Sequence, residues 1–270
     1  GSSRSPLMPI PLDRYKPWLT GTFIIAPGVG EKSEQQLWDA GFRHWESVVD
    51  AKLPVSATKA DAIKRAAEQA LEAHQIEDWE WFAARLGSKE HVRLLPWLWD
   101  KAMCIDIETN GGYDANDITI IGMHGAYDTH ILVKGRDIER FPELFADVRL
   151  MVSFFGTGFD VPFLKRRFPA VDFDIPHVDV CNVMRRIGIK GGLKAIEHRF
   201  GIERSDEAVG LSGWDAVELW RLWVSRRDES ALNRLIRYNR EDIENLPALL
   251  QIAYPKLVAQ TGASWLHQIE

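Results

Sequence analysis

The pattern of apolar residues changes abruptly near residue 100, and this change constrains the fold more than any other feature. Before it, four segments carry apolar residues at helical spacing, and Gly41 follows one of them as a C-terminal cap. After it come short β-branched or apolar segments separated by Gly, Asn and Asp, which is typical of strands. We therefore predict a domain boundary within residues 87–100. The helices predicted before it are Glu31–Ala40, Trp45–Ala51, Thr58–His74 and Asp78–Leu86.

The second part of the chain begins with strands and continues mainly with helices. Three successive strands, then alternating helix and strand, predict an α/β fold with a mixed sheet flanked by helices. We assign residues 8–92 to a small all-helical domain and residues 93–270 to the α/β domain. Residues 1–7 precede Met8 and are interpreted as a remnant of expression. The predicted strands are Ala102–Glu108, Ile118–Gly125, His130–Lys134 and Leu150–Phe155, and the predicted helices are Phe141–Val148, Val161–Phe168, Val180–Ile187, Leu193–Phe200, Trp214–Arg226 and Ser230–Val258.

Composition excludes several classes of protein. Hydrophobic residues make up 46% of the 270 and charged residues 27%, which is typical of a folded globular chain rather than a disordered one. The net charge of −6 argues against coating nucleic acid by bulk charge, although it permits a local basic groove. Cys104 and Cys181 form neither a disulfide framework nor a zinc-binding pair. With no secretory leader and no apolar run long enough for a membrane, we expect a cytoplasmic protein without a membrane partner.

Two carboxylates end the first predicted strand. Asp106 and Glu108 flank Ile107, and because side chains alternate along a strand, both project on one face. Two carboxylates about 7 Å apart beside an apolar core are costly unless a cation holds them. A hard divalent ion is the obvious partner. The alternative is an exposed strand end where both acids are solvated.

Further polar residues occur later in the chain at positions that could join this pair. Asp160 follows a predicted strand and a glycine-containing turn, and it opens an apolar helix. Tyr238 and Asp242 lie four residues apart on a predicted helix and therefore face the same way. Each has a structural alternative, because Asp is a favoured helix cap and charged residues surround Tyr238. Asp179 is interpreted as a helix N-cap rather than a metal ligand.

Taken in order, these segments resemble the motifs of a known family. The order is Asp-x-Glu on the first strand, Asp after a later strand, and Tyr-x-x-x-Asp on a late helix. It resembles the DEDD superfamily of ribonuclease H-like 3′-to-5′ exonucleases, in the tyrosine-bearing subclass and a little-characterised prokaryotic branch with a helical segment in front. The resemblance covers about residues 100–250, but Phe155 stands where related proteins often have Asn. The motifs lie at residues 104–111, 155–164 and 238–242.

The resemblance implies a ribonuclease H-like sheet, a metal-dependent 3′-to-5′ exonuclease activity and two divalent ions, Mg²⁺ or Mn²⁺. By similarity, Asp106 would bridge both ions, and Glu108 and Asp242 would bind the ion that activates water. Asp160 would help to fix the other ion, while Tyr238 would orient or deprotonate the attacking water. The implied substrate is DNA or RNA with a single-stranded 3′ end.

Contacts to the substrate are predicted at three places. The turn after the acidic pair could admit a terminal nucleotide, or it could be an ordinary turn. The basic residues after Asp160 could contact phosphates, or they could form a solvated helix face. The turn at residues 27–30 resembles half of a helix-hairpin-helix element, whose backbone N–H groups bind phosphate, with packing as the alternative. The candidate residues are Thr109, Asn110, Gly111, Phe159, Lys165, Arg166, Gly28, Gly30 and Lys32.

Two other functions are compatible with the same residues. The chain could be a ribonuclease H-like module that docks nucleic acid or protein without cutting it. It could also be a phosphohydrolase of very short oligonucleotides. The first alternative is weakened by four candidate carboxylates, for which a non-cutting module has little use.

Overall fold

The computed structural model describes residues 12–268. The chain divides into two compact units, one formed by residues 12–98 and 254–268 and the other by Trp99–Ala253. Residues 254–268 thus group with the helical segments, whereas the sequence analysis assigned them to the α/β domain. The predicted expression remnant and Met8 lie outside the described residues. Within residues 12–268, no helix has both the length and the apolar character needed to cross a membrane.

The unit formed by residues 12–98 and 254–268 is helical, as the apolar spacing predicts. Local signals set several helix ends: the Ser56 hydroxyl accepts from the Lys59 N–H and the Asp78 carboxylate accepts from the Trp81 N–H. Gly41 follows the second helix with a φ of 92°, a conformation that favours glycine. The helices are α1 Lys16–Thr20, α2 Glu31–Asp39, α3 Glu46–Val49, α4 Ala57–Gln75, α5 Trp79–Arg85 and α6 Leu95–Leu98, with 3-10 turns at Asp13–Tyr15 and Ser88–Leu94.

A buried ion-pair network lies in the core of this helical unit. The Arg93 guanidinium is 1% exposed and pairs with Glu34 at 2.9 Å and with Glu90 at 2.7 Å. It also donates to the Thr22 hydroxyl at 2.8 Å. Because both carboxylates are buried with the guanidinium, each charge depends on its partner for the solvation it has lost.

We expect Arg93→Met to lower the free energy of unfolding by about 3–5 kcal/mol, because it leaves two buried carboxylates without their cation. Lys89→Met is the matched control, since it removes the cation of an exposed pair with Glu31, and it should cost less than about 1 kcal/mol. Urea unfolding followed by tryptophan fluorescence measures both. Equal losses in the two variants would contradict the importance of this network.

The α/β unit contains a five-stranded mixed sheet among the described residues, with strand order β3-β2-β1-β4-β5. The first strand, β1, is central: it pairs antiparallel with β2 and parallel with β4. The predicted mixed sheet is therefore confirmed. The three-residue strand β5 was not predicted, because it is too short to show an alternating pattern. The strands are β1 Ala102–Thr109, β2 Ile118–Gly125, β3 Thr129–Val133, β4 Leu150–Ser153 and β5 His177–Asp179.

Helices cover both faces of this sheet. The single helix predicted over Ser230–Val258 is wrong, because the chain forms one helix to Glu244 and another from Leu246. Pro247 accounts for the break, since it has no N–H to bond the Ile243 carbonyl and its ring would clash with that carbonyl. The helices are α7 Phe141–Phe145, α8 Asp160–Arg167, α9 Val180–Arg186, α10 Leu193–Arg199, α11 Gly213–Arg226, α12 Glu229–Glu244 and α13 Leu246–Gln260.

Alternation along β1 decides which face carries the polar residues. Ile105 and Ile107 point into an apolar core with the phenylalanines of α7 and α8. Asp106 and Glu108 therefore project from the opposite face. Helix α12 packs against β1 and β2, and a second apolar cluster joins α11 and α12 to Ile120 of β2. The acidic pair is thus placed beneath α12.

Candidate active site

Three carboxylates converge between β1 and α12. Asp106 and Glu108 come from the strand and Asp242 from the helix, and each offers an oxygen within 4.8 Å of the others. Glu108 and Asp242 are buried. The structure therefore brings together three of the four carboxylates that the sequence singled out, and it excludes the alternative of a solvated strand end.

Asp160 reaches the same place from the first turn of α8. Its carboxylate accepts from the Ile107 N–H at 2.8 Å, between the two acids of β1. The N-cap position of α8 is Phe159, so Asp160 is not the helix cap that its sequence context allowed. Asp160 can take this position only because residue 156 is glycine. A Cβ at Gly156 would lie 2.2 Å from the Ser153 hydroxyl and 3.2 Å from the Asp160 carboxylate.

Asn239, which the sequence analysis did not single out, fixes the orientation of Asp106. Its side-chain amide donates to the Asp106 carboxylate at 2.8 Å and lies 3.3 Å from the Asp106 carbonyl oxygen. Gly122 of β2 pairs with Asp106 across the sheet. A Cβ at Gly122 would lie 2.2 Å from the Asn239 side-chain oxygen. The missing side chain at Gly122 therefore lets α12 approach β1 closely enough for this bond.

Two cations accompany the carboxylates, and neither was predicted to lie beside them. The Arg204 guanidinium lies 2.5 Å from the Asp242 carboxylate and 2.7 Å from that of Glu197. Lys194 donates to the Tyr238 hydroxyl at 2.8 Å. Arg204 lies in the connection between α10 and α11, far in sequence from any acidic motif, so spacing gave no signal for it.

The electrostatics of the four carboxylates are unfavourable even with these two side-chain cations beside them. Burial, with a smaller effect of the neighbouring carboxylates, holds the pKa of Asp106 and of Glu108 well above the usual range. Burial likewise raises the pKa of Asp160 to about 7 and that of Asp242 to about 6. A cluster of hard oxygen donors with this excess of negative charge fits Mg²⁺ or Mn²⁺. Asp106, Glu108 and Asp242 could hold one such ion, and the Asp160 carboxylate lies beside them on the Ile107 N–H.

Tyr238 lies one helical turn before Asp242 and is buried. Burial and then the surrounding carboxylates raise its pKa, so the phenol keeps its proton at neutral pH. Because the hydroxyl oxygen accepts from Lys194, its own proton is free to be donated elsewhere. Tyr238 is therefore arranged as a hydrogen-bond donor beside the carboxylates.

The predicted substrate contacts in the α/β unit lie around this cluster. Asn110 follows β1, and its side chain is used within its own turn, where it bonds Asp117 and the Gly112 N–H. Lys165 and Arg166 are exposed on α8, and the Arg166 guanidinium lies over the Phe163 ring. Thr109 and Gly111 belong to the same turn as Asn110, and Phe159 is partly exposed.

Asp179 was predicted to be a helix N-cap rather than a metal ligand. The cap is confirmed, because the Asp179 carboxylate accepts from the Cys181 N–H at the start of α9.

The predicted phosphate contacts at Gly28, Gly30 and Lys32 belong to the helical unit. Gly28 has a φ of 75°, Gly30 is the N-cap residue of α2, and Lys32 is exposed in its first turn. Glu31 occupies the same turn and pairs with Lys89. An acidic residue at this position opposes an anion there, so these contacts stay a prediction.

The chain belongs to the RNase H superfamily. The family model matches residues 103–254, a range that contains Asp106 and Glu108 of β1 as well as Asp160 and Asp242. This match agrees with the mixed sheet and its flanking helices.

Comparison with solved structures shows a more distant similarity. The family B DNA polymerase from the hyperthermophilic archaeon Pyrobaculum calidifontis matches with 21% sequence identity and a TM-score of 0.47. The match covers 60% of this chain and 26% of the polymerase chain, so this protein spans about a quarter of the polymerase. No curated protein matches the sequence.

The raised pKa values predict how pH acts on the metal-free protein. The folded state binds protons more tightly at Asp160 and Asp242 than the unfolded chain, where the value is 3.8. Stability in EDTA should therefore fall as pH rises from about 4 to about 7, by about 1.4 kcal/mol for each unit by which one pKa is raised. Asp106→Asn should flatten this dependence and raise the melting temperature at pH 7.

Thermal unfolding by differential scanning fluorimetry between pH 4 and 8 measures this effect. Asp147→Asn, an exposed acid in the same unit, is the control and should leave the profile unchanged. A wild-type profile that rises through this interval would contradict the electrostatic account of the site.

Proposed function

We propose that this protein is a metal-dependent 3′-to-5′ exonuclease that hydrolyses phosphodiester bonds of nucleic acid. One observation carries the proposal: four carboxylates from two helices and a strand lie together, three buried and Asp106 half-buried, although loss of solvation raises the pKa of each. A protein that only needed stability would gain by replacing them with apolar residues. Membership of the RNase H superfamily supports the proposal. The direction of cleavage rests on the resemblance of the three motifs.

The proposed chemistry assigns the four carboxylates to two divalent ions, which when bound supply the charge that activates water and stabilises the leaving oxygen. Asp106, central in the cluster, is held by Asn239 so that its carboxylate is oriented before any ion arrives. Arg204 does the same for Asp242. Such preorganisation lowers the cost of assembling the site during the reaction.

Tyr238 has a separate proposed role. Its hydroxyl, which accepts from Lys194, directs its proton towards the attacking water or a phosphate oxygen. A protonated Tyr238 hydroxyl is suited to orienting the attacking water and not to removing a proton from it. Lys194 is half-buried, and this burial lowers its pKa, although the nearby carboxylates of Asp242 and Glu108 act in the opposite direction.

The first test is cleavage of 5′-labelled single-stranded DNA and RNA with Mn²⁺, Mg²⁺ or EDTA. We expect a metal-dependent ladder that shortens from the 3′ end, and we expect Asp106→Asn to abolish it, because a neutral amide cannot hold the ions. Asp147→Asn should cleave like the wild type. Whichever of the two strands, DNA or RNA, is degraded faster identifies the preferred sugar.

Other outcomes of this test point to the alternatives. A retained gel shift without cleavage would contradict the exonuclease and favour a binding module. Cleavage restricted to oligonucleotides of a few residues would favour a phosphohydrolase of short strands. Cleavage unaffected by Asp106→Asn would show that the site is assigned wrongly.

Tyr238→Phe separates catalysis from metal binding. The variant keeps the ring and every carboxylate, so Mn²⁺ affinity measured by isothermal titration calorimetry should match the wild type. Turnover should fall by about 10²-fold, the lower end of the contribution of one positioned proton donor or acceptor. A turnover equal to that of the wild type would exclude a role for the hydroxyl.

A further inference from the structure

Phe155 adopts a backbone conformation that a bulky residue rarely occupies. Its φ is 62°, in the left-handed region that favours glycine. Such strain persists only where the surroundings impose it, and it concentrates at functional sites. The Phe155 side chain is also not buried, since 52% of the residue is exposed. Neither backbone preference nor core packing accounts for a phenylalanine at this position.

Hydrogen bonds on both sides hold this turn in place. The Phe155 N–H donates to the Asp179 carboxylate at 2.9 Å, and the Thr157 hydroxyl donates to the same carboxylate at 3.0 Å. The Gly156 N–H donates to the Ser153 hydroxyl at 3.1 Å. These bonds fix the backbone whatever side chain residue 155 carries. They therefore impose the strained conformation and present the ring at the surface.

The turn that carries the ring lies beside the carboxylate cluster. Gly156, the next residue, approaches the Asp160 carboxylate so closely that a Cβ on it would lie 3.2 Å away. The tip of the Phe155 ring covers Gly158, where a Cβ would lie 3.1 Å from it. Phe159 follows and is 37% exposed. An exposed aromatic surface therefore lies on the turn that meets the acidic site at Asp160.

Positive charge continues from this surface along α8. The Phe159 ring packs on the Phe163 ring at 5.0 Å, and the Arg166 guanidinium lies 4.7 Å over the Phe163 ring. Lys165 is exposed beside it. Aromatic rings that accept base faces, next to cations that follow the phosphates, are the features with which proteins bind single strands.

We propose that Phe155 stacks on an unpaired base at the 3′ end of the substrate and thereby selects single-stranded ends. The inference rests on the proposed exonuclease function. In a duplex, pairing and stacking on the inner neighbour hold the 3′-terminal base in the helix, so a paired end must fray before that base can turn towards Phe155. The residue thus determines specificity and takes no part in the chemistry.

The test compares Phe155→Gly with Phe155→Trp on two strands in Mn²⁺. One strand is an ordinary single-stranded oligonucleotide, and the other has an abasic residue at its 3′ end. On the ordinary strand, Phe155→Gly should raise KM about tenfold, within the range measured for loss of one base–aromatic stack, while Phe155→Trp stays near the wild type. On the abasic strand, the wild type and Phe155→Gly should have the same KM.

A second measurement separates this role from a structural one. Because glycine relieves the left-handed strain, Phe155→Gly should melt no lower than the wild type. Tyr127→Ala is the matched control, since it removes an exposed aromatic ring far from the site. Tyr127 lies two residues after Gly125, which pairs with Met103 at the end of β1 opposite to the acids. It should leave KM unchanged on both strands.

The outcomes distinguish the inference from the proposed function. If the wild type cleaves but Phe155→Gly keeps the full difference between ordinary and abasic strands, the stacking role is wrong and the exonuclease stands. If Phe155→Gly lowers the melting temperature and raises KM equally on both strands, the residue is structural and the inference fails. If the wild type cleaves neither strand, both proposals fail.

Discussion

The loss of solvation at four neighbouring carboxylates is the constraint around which the α/β unit is organised. Asp106 and Glu108 share one face of the central strand, and Asp160 and Asp242 approach from two helices. Folding has to hold these groups together although burial and like charge oppose it. Asn239 bonds one carboxylate, a backbone N–H bonds another, and a guanidinium pairs with a third. The supports come from β1, α12 and the connection after α10, so the site depends on the whole unit rather than on one motif.

Much of this arrangement follows from the sequence, and the reasons are local. Alternation along a strand puts Asp106 and Glu108 on one face, and helical spacing puts Tyr238 and Asp242 on one side of α12. Both patterns depend only on residues near in sequence. The mixed sheet likewise follows from three strands in succession and then alternation of helix and strand.

The rest depends on contacts between distant segments. Arg204 meets Asp242 across 38 positions of chain, and Gly122 meets Asn239 only after the sheet and α12 have packed. The proline at position 247 is a signal in the sequence for the break between α12 and α13. The helical spacing of apolar residues continues across it, however, and therefore predicts a single helix. Residues 254–268 group with the N-terminal helices, and the composition of the segment does not reveal this. The left-handed backbone of Phe155 is equally hidden, because a turn normally signals such geometry with glycine.

Gly122 shows how an absent side chain can matter as much as a present one. It has no group that could take part in chemistry, yet the space above its α-carbon is filled by Asn239. Even one added methyl group at Gly122 would therefore displace Asn239 and disturb the site. A search for reactive side chains would not find this position. In a library of random variants, loss of activity should map to Gly122 and Gly156 as well as to acids, and inactive sequences could retain every carboxylate.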